Sequence, residues 1–220
     1  NQVPGYTIGN PIQFDSANSE YLETDSAPVT AAPFTATMWL NFSAGLWSAP
    51  FYLGDKDADG DDLWRILIQN DGSVIHWVFM DGDNRTISTS FSGSTWYHIA
   101  GIEIASNDRA LLVDAGSKQT STQDRSPDNA DRISIGRSGD STPSNYYSGL
   151  VDEVRISSTD RDDDWVATQY NNQHDPTPDS TFWTTTSSGS SAGTAIVQTA
   201  ADTVSLTESL ARPRVLVRTD

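Results

Sequence analysis

The segment FTATMWLNF, residues 34–42, alternates apolar and polar side chains with a period of two. This period is typical of a β-strand with one apolar face, because successive side chains of a strand point to opposite sides. Similar runs follow, separated by turn-forming stretches such as NDG, DGDN and SGST. They are FYLG, WRILIQ, VIHWVFM, TISTSF, WYHIAGIEI, RALLVD, RISIG and LVDEVRIS. The pattern predicts an all-β fold, a two-sheet antiparallel sandwich of the jelly-roll type.

One stretch, SSTDRDDDWVATQYNN, departs from this period and predicts one short helix near the end of the domain. Ser158 or Thr159 is the expected N-cap, and the aspartates that follow suit the positive end of the helix dipole. Trp165 is expected to face inward, with Thr168 or Gln169 following it at helical spacing.

The composition changes after residue 183, where TTTSSGSSAGTA is typical of a flexible linker. We therefore expect a folded domain over residues 1–183 and a linker with an assembly or tether extension over residues 184–220. Short apolar runs in the extension are suited to adding a strand to a neighbouring molecule. The residues predicted to make that assembly contact are Val204, Leu206, Val215 and Leu216.

The chain of 220 residues carries thirteen Lys and Arg against thirty Asp and Glu, for a formal net charge of −17. This balance argues against nucleic acid as a partner, because phosphate binding requires a basic face. Most of the acids are aspartates, which favour turns and bind hard cations, although a halophilic source explains the same bias. No run approaches the roughly 20 apolar residues of a membrane span. The absence of cysteine excludes disulfides and thiolate metal sites.

Several stretches, in order, resemble the laminin-G-like (concanavalin A-like) jelly-roll family. They are IQFDSANSEYLET, FTATMWLNF, STWYHIAGIEIASNDRALLVDAG, ISIGRSGDSTPSNYYSGLVDEVRISS and DWVATQYNNQHDPTPDSTFW. Ser16 and the pair Asp114-Ala115 depart from the family's usual glycine turns. The resemblance implies a concanavalin A-like sandwich. It also implies a module that is mostly non-catalytic and that binds glycans, adheres to surfaces or serves a structural role, while related folds include glycoside hydrolases.

The acidic residues do not form a recognisable catalytic pair. A retaining glycosidase needs two carboxylates about 5 Å apart. The five glutamates are far apart in the sequence, and Asp152 and Glu153 should point to opposite faces of a strand. The three histidines are dispersed and lack a ligand spacing such as H-E-x-x-H, and His98 is expected to be a strand residue with a hydrogen-bonded ring. We predict that the chain is not an enzyme, and a glycoside hydrolase is the less favoured alternative.

The loop DKDADGDD, residues 55–62, reproduces the first half of an EF-hand-type calcium loop, in which alternate oxygens converge on one ion. The twelfth position is Ile66 rather than a bidentate glutamate, and strands rather than helices flank the loop. Two interpretations stay open, a partial calcium site and a solvated acidic hairpin tip. The candidate ligands are Asp55, Asp57, Asp59 and Asp61, with Asp62 as a substitute.

The resemblance implies a second, structural calcium site where the turn after the first strand meets the late DEVRI strand. Matched residue by residue, it implicates Asp15 and Asp152. Backbone carbonyls near Ser16 or Asn18 would complete the roughly six to eight oxygens that calcium prefers. The alternative is that Asp152 accepts backbone hydrogen bonds.

Three aromatic residues in predicted loops are candidates for stacking against a sugar ring. They are Trp47 in GLWSAPF, and Tyr146 and Tyr147 in SNYY. The alternative is that these rings pack in the core or at a subunit interface.

The leading hypothesis is a non-catalytic structural or adhesion module displayed on the surface of a cell or a virion, and therefore extracellular. Its partners would be proteins of a larger assembly or other copies of the chain, without nucleic acid and without membrane insertion. The second hypothesis is a calcium-assisted, lectin-like domain whose partner is a glycan.

Overall fold

The computed structural model describes residues 11–42, 47–81, 83–90, 92, 95–127 and 129–174, and four short strands beyond them. Within these residues the chain forms two compact units, the first ending at Tyr170 and the second beginning at Asn171. The boundary expected after residue 183 stays a prediction, because residues 175–183 lie outside the described part.

Twelve strands form the body of the first unit. They are β1 (Ile12–Phe14), β2 (Leu22–Thr24), β3 (Phe34–Phe42), β4 (Ser48–Gly54), β5 (Leu63–Ile68), β6 (Val74–Asp81), β7 (Asp83–Ser90), β8 (Trp96–Ala105), β9 (Asp108–Val113), β10 (Gln119–Ser121), β11 (Arg132–Ile135) and β12 (Gly149–Ser157). Sheet A has the spatial order β1-β12-β3-β8-β9-β10, and sheet B has the order β2-β11-β4-β5-β6-β7. All neighbours pair antiparallel, which confirms the predicted two-sheet sandwich.

The main core lies between the two sheets. Alternate residues of β3 point into it as the sequence pattern predicted, and aromatic rings from sheet B meet them there. Phe34 makes an edge-to-face contact with Trp64 at a centroid distance of 5.0 Å. Burial of each such side chain stabilises the fold by about 1.5–3 kcal/mol. The β3 residues that face this core are Phe34, Ala36, Met38, Leu40 and Phe42.

The opposite face of β3, which carries Thr35, Thr37 and Trp39, is buried as well. The helix α1 (Asp163–His174) covers it. Gln169 Nε2 donates a 3.0 Å hydrogen bond to Thr37 Oγ1, and the Tyr170 ring stacks on Trp39 at a centroid distance of 5.7 Å. Apart from a short 3-10 turn at Ser16–Asn18, α1 is the single helix of the described residues.

The helix begins at an aspartate cap. Asp162 Oδ1 accepts a 2.8 Å hydrogen bond from the backbone N–H of Trp165, and its carbonyl oxygen accepts from Val166 N. These two bonds define Asp162 as the N-cap. The expected cap at Ser158 or Thr159 is therefore wrong, because the helix begins only at Asp163, four residues after Thr159.

The described residues of the second unit beyond α1 form two short antiparallel hairpins. β13 (Thr184–Thr186) pairs with β14 (Ala195–Val197), and β15 (Leu206–Ser209) pairs with β16 (Val215–Arg218). Leu206, Val215 and Leu216 thus lie on strands that pair within the chain, while Val204 lies outside the described residues. The assembly contact stays a prediction.

In the described part of the chain, no helix has both the length and the apolar character that crossing a membrane requires.

Candidate functional site

The outer face of sheet B carries side chains that strand pairing places in rows. One row runs from Glu23 on β2 through Ser134, Tyr52 and Arg65 to Val78 on β6. In an antiparallel sheet such neighbours are about 4.5–5.5 Å apart at Cβ, so their side chains interact. The row therefore brings together polar groups that are widely separated in the sequence.

Residues 137–148 run across this face. Ser138 Oγ accepts a 3.2 Å hydrogen bond from Arg65 Nη1, and Asn145 O accepts a 2.8 Å bond from Ala49 N. Tyr52 is wholly buried on this face, whereas Arg65 is only partly covered. A polar surface is thus left open beside the crossing segment.

Trp47 is the exposed aromatic residue of this surface. The residue is 42% exposed, and its indole ring stacks on the His76 imidazole at a centroid distance of 5.8 Å and an interplanar angle of 30°. His76 Nδ1 lies 2.6 Å from Ser88 Oγ, which fixes the plane of the imidazole. Burial lowers the pKa of His76. The indole is therefore held on a neutral ring with its outer side facing solvent.

Arg65 lies beside this aromatic pair, since it pairs with Val78, two residues from His76 on β6. Its Nε is buried without a hydrogen-bond partner, and among the described residues no carboxylate lies within ion-pair distance of it. Burial lowers the pKa of Arg65, and the charge of Asp140 opposes that effect. Asp140 is nearly buried, and burial raises the pKa of its carboxyl group. The face thus offers the donors of Arg65 beside an exposed indole, whereas Asp140 is buried next to the 55–62 loop, where the adjacent Ser141 N donates to Ala58 O at 2.9 Å.

The two tyrosines predicted as ligand residues have different positions. Tyr147 is wholly buried, and its hydroxyl donates to the carbonyl oxygens of Asn41 at 2.9 Å and Leu150 at 3.2 Å. It is a core residue, so its assignment to a ligand site is wrong. Tyr146 is half-buried, and its hydroxyl accepts a 3.4 Å bond from Arg137 Nη1.

Sequence reasoning missed a second aromatic cluster near β2. The Arg137 guanidinium lies 3.5 Å from the centre of the Tyr21 ring and donates to Glu23 Oε2 at 2.8 Å. Tyr21 is 42% exposed, and its ring lies 6.5 Å from that of Tyr146. Arg137 is thus neutralised by an internal carboxylate, unlike Arg65. The YLE stretch gave no indication of the cluster, because Arg137 joins it through strand pairing.

Asp15 and Asp152 do not form the calcium site that the resemblance implied. Phe14 pairs with Gly149 and Ile12 with Val151, which separates the two aspartates by four positions, about 13 Å. The Asp15 carboxylate instead caps the 3-10 turn by accepting from Ala17 N at 2.9 Å. Asp152 Oδ1 accepts from a backbone N–H, that of Glu153, at 2.8 Å. The prediction is wrong because strand register, which the motif match did not provide, keeps the carboxylates apart.

The acidic loop places three carboxylates close together, but not the set that its spacing predicted. Asp55 and Asp57 meet Asp131, with ligand oxygens within 4.8 Å of one another. Asp59 and Asp61 are not members of this group. The ammonium group of Lys56 contacts Asp131 and lies 3.5 Å from Asp57. Three carboxylates could hold a metal ion, yet the ammonium of Lys56 already pairs with two of them, so the group does not fit a bound calcium.

Two buried titratable residues have no route to a substrate. Glu103 lies in the main core and accepts hydrogen bonds from Trp77 Nε1 at 2.6 Å and Arg109 Nε at 2.9 Å. His98 is wholly buried against Trp39, and neither ring nitrogen has a partner. The expectation of a hydrogen-bonded His98 ring is therefore wrong.

A cleft of about 290 Å³ opens at the end of β1. Its polar lining residues are Gln13, Asp15, Asn41 and Ser148. Asp15 and Ser148 are both engaged in local hydrogen bonds, and the lining contains no exposed aromatic ring. The cleft is therefore a weaker candidate than the outer face of sheet B.

Residues 16–167 match the laminin-G model described as concanavalin A-like lectin/glucanases superfamily. The chain belongs to the concanavalin A-like lectin/glucanase superfamily. A search of curated protein sequences gave no match. The match confirms the resemblance drawn from the sequence motifs and agrees with the two-sheet sandwich.

Solved structures with this superfamily fold include three of distinct kinds. A mutant NanB sialidase from Streptococcus pneumoniae has a TM-score of 0.59 and 14% identity over 73% of this chain and 27% of that chain. Mouse laminin α1 domains LG4-5 have a TM-score of 0.54 and 14% identity over 70% and 44%. The CBM40 module of the Ruminococcus gnavus IT-sialidase, bound to α2,3 sialyllactose, has a TM-score of 0.55 and 12% identity over 68% and 98%. The chain thus spans about a quarter of NanB, and these identities establish the fold alone.

Proposed function

We propose that this chain is a non-catalytic carbohydrate-binding module, and that the outer face of sheet B around Trp47 is its binding site. The observation that carries the proposal is the exposed indole of Trp47 held on His76. The C–H groups on one face of a pyranose ring pack against such a flat apolar surface, and the ring hydroxyls remain free for polar neighbours. Sugar sites need this combination of one apolar platform and a few oriented polar groups.

Arg65 supplies the polar group. Its guanidinium has donors that no described carboxylate occupies. The hydroxyl oxygens of a sugar accept hydrogen bonds from such donors. We infer that the ligand is a neutral saccharide, because a net charge of −17 repels polyanionic glycans.

The superfamily comparison supports carbohydrate as the ligand class. The Ruminococcus gnavus CBM40 module has this fold and is bound to α2,3 sialyllactose in its structure. No described pair of carboxylates faces across the Trp47 surface, and the most buried glutamate is bonded to Trp77 and Arg109. A binding role is therefore favoured over hydrolysis.

A glycan array followed by isothermal titration calorimetry tests this proposal. Trp47→Ala should weaken binding of the selected saccharide by at least about tenfold, which corresponds to about 1.4 kcal/mol, and Trp47→Phe should retain most of it. Tyr21→Ala is the matched control, because Tyr21 is an equally exposed aromatic residue at the far edge of the same sheet. Equal affinity of the wild type and Trp47→Ala would place the ligand elsewhere, and selective binding of sialylated or sulfated glycans would contradict the neutral ligand.

A second candidate is a structural or adhesion module held in a larger assembly or homo-oligomer. It is favoured by the edge strands β1 and β2. Ile12 is 49% and Leu22 50% exposed, although both lie on the side of their strand that faces the core. Apolar side chains at an open sheet edge favour association with another chain. We propose display on the outside of a cell or virion for either candidate.

Light scattering of the full chain over a range of concentrations tests the second candidate. The wild type should associate, and Ile12→Ser with Leu22→Ser should shift it to the monomer without changing glycan affinity. A wild type that is monomeric at every concentration would remove homo-oligomerisation. Antibody labelling of intact cells or particles that produce the chain tests the surface location.

A further inference from the structure

The loop between β4 and β5 forms a closed acidic turn whose geometry is set by the backbone. Asp55 N donates to Asp62 O at 3.0 Å, which closes the loop. Asp131, from the segment before β11, reaches the same place because its N–H donates to Gly54 O at 3.1 Å. The loop therefore gathers carboxylates of Asp55, Asp57 and Asp131 from two separate parts of the chain.

Lys56 binds this group through both its backbone and its side chain. Its backbone N–H donates to Asp131 Oδ1 at 3.0 Å, and its ammonium donates to Asp131 Oδ2. The same ammonium lies 3.5 Å from Asp57 Oδ2. Hydrogen bonding to Asp131 raises the pKa of Lys56. Burial would raise the pKa of Asp131, but the hydrogen bonds from Lys56 outweigh it and lower that pKa.

Beyond these three carboxylates, the loop does not supply the further oxygen ligands that a calcium ion would need. Ile66, at the position where an EF-hand has its bidentate glutamate, is wholly buried in the main core. Asp61 Oδ1 accepts from Asp62 N, and Asp62 Oδ2 accepts from Asn129 Nδ2. The Lys56 ammonium serves Asp131 and Asp57, and the third carboxylate, that of Asp55, accepts from Asp57 N at 2.7 Å, so the chain itself provides a donor for each of the three.

We propose that Lys56 is the built-in cation of this loop, so that the fold is independent of calcium, and that removal of the ammonium turns Asp55, Asp57 and Asp131 into a divalent-cation site. Mutual repulsion of the three carboxylates would then be relieved by an ion from solution instead of by the chain. This inference does not depend on the proposed glycan site, which lies around Trp47.

Thermal melting of the full chain with excess chelator and with about 1 mM calcium tests the proposal, a concentration at which weak extracellular calcium sites fill. The wild-type Tm should be the same in both conditions. Lys56→Met should lower the Tm by about 2–4 °C in chelator, and calcium should restore it. Lys56→Gln, which keeps a polar side chain, should behave in the same way.

Lys118→Met is the matched control, because Lys118 is the only other lysine, is equally exposed and, among the residues that the structure describes, contacts a single carboxylate, that of Asp163. It should gain no calcium response. Asp131→Asn in the Lys56→Met background should abolish the response, which separates this site from diffuse binding to other aspartates. A wild-type Tm that falls in chelator overturns the proposal. A Lys56 variant whose Tm or folding is not improved by calcium also overturns it.

Discussion

Trp77 Nε1 donates a 2.6 Å hydrogen bond to Glu103 Oε1 across the centre of the sandwich, from sheet B to sheet A. The second oxygen of Glu103 accepts from Arg109 Nε at 2.9 Å, and both charged side chains are at most 1% exposed. The remaining nitrogens of Arg109 donate to backbone carbonyls in the segment after β10 and in the turn before β9. These acceptors are Ser106 O, Gln123 O and Arg125 O. The buried charge pair thus ties both sheets to two connecting segments.

We expect Glu103→Ala to lower the free energy of unfolding by roughly 3–5 kcal/mol, because it leaves the Arg109 guanidinium buried without its counter-charge. Urea denaturation measures the change. Glu153→Ala is the control, since the Glu153–Arg155 pair is partly exposed and should contribute less than about 1 kcal/mol. Similar losses for the two variants would mean that burial does not govern the energy of the Glu103 pair.

Gly101 is predicted to be intolerant of any side chain, because a Cβ atom there would lie 2.6–2.7 Å from three ring atoms of Trp77. Gly101→Ala should therefore lower the free energy of unfolding by about 1–3 kcal/mol through overpacking. Trp77→Leu makes room, so the same alanine should have little further effect in that background. A double-mutant cycle by denaturation measures the coupling, and strictly additive losses would contradict the contact.

The strand β8 shows where sequence periodicity was informative and where it failed. The run WYHIAGIEI predicted a strand correctly, because its β-branched and aromatic residues fit a pleated surface. Its most apolar face, with Ala100 and Ile102, is covered by Val166 of the helix, while Gly101 and Glu103 face the main core. Alternation reveals the two faces of a strand, but it does not reveal which face meets the second sheet when both are buried.

Prediction of the candidate sites was limited in a similar way, because the sequence does not reveal the register in which strands pair. The sequence placed Trp47 in a loop, and it is exposed there, but Tyr147 in a similar context is a core residue whose hydroxyl serves two carbonyl groups. The spacing of the acidic loop suggested Asp59 as a ligand, whereas Asp131 completes the group because β11 pairs with β4. Such contacts depend on pairing between residues far apart in the chain, which local spacing does not encode.

Asp162 is predicted to contribute to stability through its cap of α1. Asp162→Ala should lower the free energy of unfolding by about 1 kcal/mol, because the N–H of Trp165 loses its acceptor. Asp162→Asn keeps an acceptor oxygen and should lose much less. Asp160→Ala is the control with the same change of charge, and an equal loss there in chemical denaturation would assign the effect to charge rather than to the cap.

His98 is a source of acid sensitivity in sheet A. Its ring lies 5.3 Å from Trp39 and 6.1 Å from Tyr170, between centroids. Burial lowers the pKa of His98 to about 3, and the positive charge of Arg155 acts in the same direction. The unfolded chain takes up a proton near the ordinary value of about 6.5, so it binds more protons than the folded chain between these two values. The contribution of His98 to the stability of the fold therefore falls as the pH falls through that window.

We expect His98→Leu to raise the free energy of unfolding by roughly 1 kcal/mol at pH 7.5, because it removes two buried nitrogens that have no partner. As the pH falls from about 6.5 towards 3, the advantage of the variant should grow by up to about 1.4 kcal/mol per pH unit, because the variant has no histidine to protonate on unfolding. Denaturation at a series of pH values measures the difference between the two proteins, in which contributions from all other groups, including Glu103, cancel. A difference that is constant with pH would show that the His98 ring is protonated equally in the folded and unfolded chains, and a less stable variant at pH 7.5 would show that its nitrogens are satisfied.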